Sequence, residues 1–190
     1  MSAFLETPRL VLRAFTPEDA DLLVCLDADP EVMRFLSGGQ PTPRAIVVAE
    51  ELPRILALRD GYGQWAAHDR ATGAFLGWFG LTPLGASLGG PRPGEAELGY
   101  RLKRAAWGRG LATEGARALV DKAFADLGMR RVVGETMTVN AGSRRVLEKA
   151  GLRFVRTFFF DWGGDIEGGD QGDVEYEITY EEWAAARTPN

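Results

Sequence analysis

Between residues 95 and 127 the hydrophobic period of the chain changes from two to 3.6 across a turn holding two glycines, and that change limits the folds open to it. Glu95-Ala96-Glu97-Leu98-Gly99-Tyr100-Arg101-Leu102 alternates polar with apolar, the pattern of a half-buried strand. From Leu111 to Leu127, Ala112, Ala116, Leu119, Ala123 and Leu127 share one helical face, and Gly128 supplies a stop signal. The link between them is Arg104-Ala105-Ala106-Trp107-Gly108-Arg109-Gly110. Glycines let a backbone turn tightly and approach a ligand closely. The first N–H groups of a helix have no partner within it and favour an anion in front of them. Strand, Gly-x-Gly turn and helix together predict a phosphate cradle.

The flanking elements follow from local signals. Arg9 to Arg13 reads as a first strand, and Thr16-Pro17-Glu18-Asp19 opens a helix that runs to about Leu26. Asp29-Pro30-Glu31 and Thr42-Pro43 open two more, and Pro53 is expected to end or kink the third because it lacks an N–H. Gln64 to Asp69 and Ala74 to Thr82 read as a hairpin around Arg70-Ala71-Thr72-Gly73. Pro83 to Gly94, rich in glycine and proline, predicts a loop that is either a lid or a connector. Arg131 to Val139 reads as a strand, Asn140 to Ala150 as a short helix closed by Gly151, and Leu152 to Trp162 as an aromatic strand. Val174 to Tyr180 makes a last strand before a helical turn at Glu181-Glu182-Trp183. The expected class is α+β, or mixed α/β, in one layered domain over residues 1–190.

Composition removes several function classes. A net charge of −5 argues against a nonspecific grip on nucleic acid, which needs clustered Lys and Arg, while a cationic amine would not be repelled. Cys25 has no second cysteine to pair with and sits in the apolar run Leu22-Leu23-Val24-Cys25-Leu26, so a buried structural thiol is expected. His68 has no His or Cys beside it, and no metal site is expected. No stretch approaches the ~20 apolar residues of a membrane span, and the N-terminus lacks a signal-peptide core, so the expectation is a soluble cytoplasmic protein without membrane partners.

The turn itself narrows the phosphate. A Walker A loop needs Lys and then Ser or Thr after its second glycine, where Leu111 and Ala112 stand. A dinucleotide fingerprint needs a third glycine, where Thr113 stands. What remains is a pyrophosphate held chiefly by backbone N–H groups.

In this region the sequence resembles the GCN5-related N-acetyltransferases, and among them is most similar to the branch of ribosomal-protein N-terminal acetyltransferases. The likeness rests on Tyr100-Arg101-Leu102 with Trp107-Gly108-Arg109-Gly110-Leu111-Ala112-Thr113-Glu114, on Val139-Asn140-Ala141-Gly142-Ser143, and on Val146-Leu147-Glu148-Lys149-Ala150-Gly151-Leu152-Arg153-Phe154, in that order. The likeness extends over a core of about residues 7 to 185 and implies a central, mostly antiparallel sheet flanked by helices, with splayed middle strands ending near Leu102 and Val139 and acetyl-CoA between them. The backbone of Tyr100, Arg101 and Leu102 would hold the pantetheine arm. N–H groups from Gly108 through Arg109, Gly110, Leu111, Ala112 and Thr113 would hold the pyrophosphate, and Asn140 would reach the cofactor from the facing strand. Trp107 is either a core anchor for the turn or a ligand contact, and Glu114 a solvated first-turn acid favoured by the helix dipole.

Two positions depart from the family pattern. Ala105 stands where a Gln or Arg is usual, which leaves Arg104 or Arg109 to help the phosphates. Leu147 stands where many members carry the tyrosine that reprotonates the leaving thiolate, so Ser143 becomes the substitute candidate, with a helix cap as its alternative role.

Acetyl transfer to an amine needs removal of a proton, since amines are mostly protonated at neutral pH. Glu97 is the first candidate base, a bulge could shift the register to Glu95, and Glu135 is the next choice. The acceptor is a primary amine, either a protein N-terminus or a small molecule. Phe35, Trp65, Trp78, Phe158, Phe159, Phe160, Trp162 and Tyr176 are candidate pocket aromatics, most of them expected in the core, and the acidic loop from Gly163 to Asp173 would suit a cation. Homodimerisation stays open. The competing classes are a noncatalytic acyl-CoA sensor, which Leu147 favours, and a nucleotide-binding protein.

Overall fold

A computed structural model describes residues 3–161 and 166–187. Its frame is a sheet of β1 (Leu5–Glu6), β2 (Leu10–Ala14), β3 (Gly63–Asp69), β4 (Phe75–Thr82), β5 (Glu95–Leu102), β6 (Arg131–Met137), β7 (Arg153–Phe158) and β8 (Asp173–Thr179). Their spatial order is β1-β2-β3-β4-β5-β6-β8-β7. Every neighbouring pair is antiparallel except β5 with β6. Those two are joined by helix α5 (Leu111–Ala125, the labels α1 to α4 belonging to earlier helices), and a helical crossover is what parallel neighbours require.

The parallel ladder is short, and that shortness makes the site. Glu95 pairs with Arg131, Ala96 with Val132 and Glu97 with Val133, and the pairing ends there. β5 continues to Leu102, still paired with β4 on its other side without a register shift, and β6 continues to Met137. Past Glu97 the two strands therefore part, and the inner edge of each faces a gap.

Helices cover both faces. On one face α5 and α6 (Ala141–Lys149) bury Leu111, Leu119, Val120, Ala123 and Leu147 against Leu98, Leu102, Val132 and Tyr176. On the other, α1 (Ala20–Asp27), α2 (Pro30–Ser37), α3 (Arg44–Ile46) and α4 (Leu52–Ala57) bury Leu23, Leu26, Val32, Val47, Leu52 and Ile55 against Ala66 and Phe75. Each fully buried Leu or Val contributes about 1.5–3 kcal/mol relative to exposure. A last helix, α7 (Tyr180–Ala185), starts on a capping box between Thr179 and Glu182.

Some expectations are corrected. Of the two outcomes expected at Pro53, the helix does not end: it is distorted by a π turn over Val47–Glu51 just ahead of the proline and carries on as α4 to Ala57. Cys25 is exposed rather than buried, since Leu23, Leu26 and Asp27 take the inner face of α1. The loop of residues 83–94 contains a 3₁₀ turn at Ala86–Leu88, with Leu84 and Leu88 packed on Val133, and is no free lid. The aromatic strand is shorter than expected, Arg153–Phe158, and Trp162 together with Gly163 to Asp165 lies outside the described residues. No helix among the described residues is long and apolar enough to cross a membrane.

Candidate active site

A cleft of about 1270 Å³ runs through the gap between β5 and β6. Its floor and walls include Glu97 to Leu102, Gly108, Gly110 to Thr113, Glu135 and Asn140 to Ser143. Four stretches far apart in sequence thus meet at one place.

The cradle closes one end. Gly108 and Gly110 have φ of 70° and 76°, a left-handed backbone that a side chain would strain. Gly110 is the N-cap of α5 and brings no capping side chain. Glu114 is the first residue to bond back, its N–H to the Gly110 carbonyl at 3.0 Å, so the N–H groups of Leu111, Ala112 and Thr113 precede the helical ladder. An uncapped helix start aimed into a cleft suits a pyrophosphate. The Trp107 indole N–H donates to the Leu102 carbonyl at 2.8 Å while its ring stays 45% exposed, so it anchors the turn and still offers a face to the cleft.

Side chains around the cradle have partners of their own. Glu114 is not simply solvated: it accepts from the Thr7 hydroxyl at 2.6 Å, the Arg9 N–H at 2.9 Å and Arg9 Nε at 2.6 Å. Arg9 in turn donates to the Arg109 carbonyl at 2.8 Å, tying the turn ahead of β2 to the cradle. Neither Arg109 nor Arg104 lines this cleft, and Arg104 faces Asp29 at 3.3 Å. The Arg101 guanidinium bonds to the buried Asp27 at 2.5 Å and lies over the Trp78 ring, which leaves the backbone of Arg101 as its contribution to the gap.

Two carboxylates face the place where the strands part. Glu97 is on β5 at the last parallel pair, and Glu135 is two residues past the matching position of β6. Burial pushes the Glu97 carboxyl above its ordinary range, offset by the Gly85 N–H that donates to its Oε2 at 3.2 Å. Glu135 is pushed up to about 7 by burial and then by the charge of Glu97, offset by the Ser87 hydroxyl donating to its Oε2 at 2.8 Å. Among the described residues neither carboxylate has an Arg or Lys partner, whereas Glu95 is held by Arg131 at 2.9 Å. The paired residues of β5 show no register shift of the kind that would bring Glu95 to this place. Ser87 and Gly85 were missed from sequence, because a Gly- and Pro-rich loop gives no sign of where it packs.

The facing wall is α6. Asn140 caps it, its Oδ1 accepting the Ser143 N–H at 3.1 Å, so the cap is Asn140 and the Ser143 hydroxyl is free for other work. That hydroxyl sits 3.0 Å from the Tyr100 hydroxyl, which also lies 3.1 Å from the Ser143 carbonyl. Burial raises the Tyr100 phenol above its ordinary value, so it stays protonated. Leu147 is fully buried, and a Cβ on Gly134 would come within 2.5 Å of its Cδ2. The side chain therefore fills the space that glycine leaves on β6 and offers only carbon to the cleft it borders.

Beyond the carboxylates the cleft is walled by Glu31, Arg34 and Phe35 of α2, by Trp78, and by Phe160, Ile166 and Asp170. Arg34 bridges to Glu167 at 3.1 Å, which links α2 to the segment before β8. Trp65, Phe158 and Tyr176 are core, while Phe159 is 73% exposed. No metal-binding cluster occurs among the described residues.

Comparison with known proteins agrees with this geometry. The family model for an acetyltransferase (GNAT) domain matches residues 9–153. The FsC-acetyl coenzyme A-N(2)-transacetylase of Aspergillus fumigatus is 38% identical over 190 residues, covering 98% of this chain and 80% of the relative. The uncharacterized protein YkkB of Bacillus subtilis is 33% identical over 156 residues, 80% of this chain and 87% of its own. Among solved structures, aminoglycoside acetyltransferase AAC(6')-Ib with ribostamycin and coenzyme A superposes with a TM-score of 0.76 over 95% of this chain and 99% of that one, at 22% identity, a likeness of fold. The chain belongs to the GNAT acetyltransferase family.

Proposed function

We propose that this protein moves the acetyl group of acetyl-CoA onto a primary amine of a small molecule, with Glu97 and Glu135 receiving the proton that the amine must lose. The observation that carries this reading is the pair of partly buried carboxylates without cationic partners at the parting of β5 and β6, in the same cleft as an uncapped helix N-terminus. The cradle of Gly108 to Thr113 takes the pyrophosphate, and the free edge of β5 beyond Glu97 takes the pantetheine arm, whose amides pair with a strand edge as another strand would.

The chemistry then follows from the side chains. The amine arrives charged, passes a proton to the carboxylate pair, and its nitrogen attacks the thioester carbonyl. Backbone N–H groups at the open edge of β5 receive the developing oxyanion. The nitrogen then still carries one proton more than the amide, and as the carbon–sulfur bond breaks that proton passes to the thiolate through the Ser143 hydroxyl, which gives its own proton to sulfur, takes the nitrogen's in exchange and is held in place by the Tyr100 hydroxyl.

A small-molecule acceptor is supported by the relative matched along nearly all of the chain, named for transfer to an N(2) nitrogen. Protein N-termini are the other acceptor class. The sensor reading keeps one observation, that the side chain of residue 147, at the border of the cleft, is a leucine with no proton to give. Thermal shift with acetyl-CoA, coenzyme A and ATP, followed by thiol release across amines and N-terminal peptides, separates them. Acetyl-CoA stabilisation with amine-dependent thiol release supports the enzyme; stabilisation by ATP alone sinks it.

A further inference from the structure

We propose that the short turn of residues 84–88 is a positioning element of the reaction, in which the Ser87 hydroxyl holds Glu135 and the Gly85 N–H holds Glu97 so that the two carboxylates act as distinct proton acceptors. The inference rests on the proposed function and goes beyond it by assigning a role to a loop outside the family-like motifs.

The geometry is specific. Leu84 and Leu88 are buried on Val133, the β6 residue that pairs with Glu97, and so fix the turn from both sides at the last parallel pair. Between them, the Gly85 N–H reaches Glu97 Oε2 at 3.2 Å and the Ser87 hydroxyl reaches Glu135 Oε2 at 2.8 Å. A Cβ on Gly85 would lie 3.5 Å from that Glu97 oxygen and 3.6 Å from Ser87 Oγ, so the turn is packed directly on the pair. The other charges acting on Glu135 are Glu97 from β5 and Asp173 and Glu175 from β8. Glu175 is compensated by Arg131 at 2.9 Å and Arg156 at 2.6 Å. Ser87 is thus the side-chain donor on a carboxylate whose neighbours otherwise oppose its ionisation.

A hydrogen bond to the ionised form lowers a carboxyl pKa, so its removal raises it. Ser87→Ala is expected to raise the titration midpoint of Glu135 by about one pH unit. The midpoint is read by NMR on protein carrying ¹³C-labelled glutamate, with Glu135→Gln to assign the signal. Ser87→Thr, which keeps the hydroxyl, returns it toward the wild-type value, and Ser87→Cys, a weak donor, falls between. With an amine that wild type acetylates, the acidic limb of kcat/KM moves up by the same amount and the KM for acetyl-CoA stays put. An unmoved Glu135 midpoint in Ser87→Ala, or in Ser87→Cys should the alanine variant misfold, overturns the inference. Wild type that acetylates no amine overturns the proposed function instead, and the NMR midpoint still decides the role of Ser87.

Discussion

Arg9 Nε and Glu114 Oε2 lie 2.6 Å apart across 105 residues of sequence, which fastens the chain ahead of β2 to the first turn of the cradle helix. Thr7, itself buried, adds its hydroxyl to the same carboxylate at 2.6 Å. Glu114→Ala leaves those donors without their acceptor and is expected to cost about 2 kcal/mol, read by urea melts. Burial works against the ionised Glu114, but Thr7 and Arg9 outweigh it and hold the carboxyl below its ordinary value. The contribution is therefore present above the unfolded value near 4.5 and disappears as pH falls through the lower folded one. Equal stability of wild type and variant at pH 7 would rule this role out. Because Arg9 also holds the Arg109 carbonyl, acetyl-CoA affinity should drop several-fold with the same substitution.

The carboxylate pair predicts opposite signs for activity and stability. Glu97→Gln and Glu135→Gln should each lower kcat by about 10²-fold with acetyl-CoA affinity retained, as loss of a positioned base requires. The acidic limb of kcat/KM should fall near pH 7, where Glu135 ionises. A raised carboxyl binds its proton more tightly when folded, so Glu135 costs stability as pH rises from about 4.5 to about 7. Glu135→Gln should consequently melt a few degrees higher than wild type at pH 8 and about level with it at pH 4.5. Thermal melts at the two pH values check the sign.

Tyr100→Phe removes the hydroxyl that contacts Ser143 Oγ at 3.0 Å without altering the ring that packs near Phe79. Both Tyr100→Phe and Ser143→Ala should reduce kcat by roughly 10-fold or more while leaving the KM for acetyl-CoA nearly unchanged. The double variant should be no slower than the worse single one, because the two groups act in series. Additive losses in steady-state kinetics would show that they act separately.

Gly110 caps α5 at a φ of 76°. Gly110→Ala should cost about 1 kcal/mol through the left-handed backbone and weaken acetyl-CoA in calorimetric titrations by turning the first N–H groups of α5. A Cβ there would have Arg9 as its nearest neighbour at 3.6 Å, so crowding adds little. An unchanged affinity would detach the cradle from cofactor binding.

The strand, turn and helix of residues 95–125 were legible because their signals are local: period, glycine and cap. The parting of β5 from β6 was foreseen only through the family resemblance that the motifs around Gly108 and Asn140 carry. Long-range polar pairings were not. Nothing near Glu114 announces Thr7 and Arg9, and nothing near Ser87 announces Glu135, because these partners meet only when the sheet closes. Cys25 misled by sitting in the five-residue apolar run Leu22–Leu26, which wraps more than one turn of helix and so cannot point inward throughout: Leu23 and Leu26 do, and Cys25 does not. The role of Asn140 and Ser143 was legible as a choice, and the bond from Ser143 N–H to Asn140 Oδ1 resolves which residue is the cap.

The most direct test of the account compares wild type with the Glu97→Gln/Glu135→Gln double variant, measuring acetylated amine by mass spectrometry across a panel of small amines beside calorimetric binding of acetyl-CoA. The account predicts an acetylated amine from wild type and almost none from the double variant, with matching acetyl-CoA affinity. Acetyl-CoA binding by a wild type that acetylates no amine, or a double variant that acetylates as fast as wild type, would contradict it.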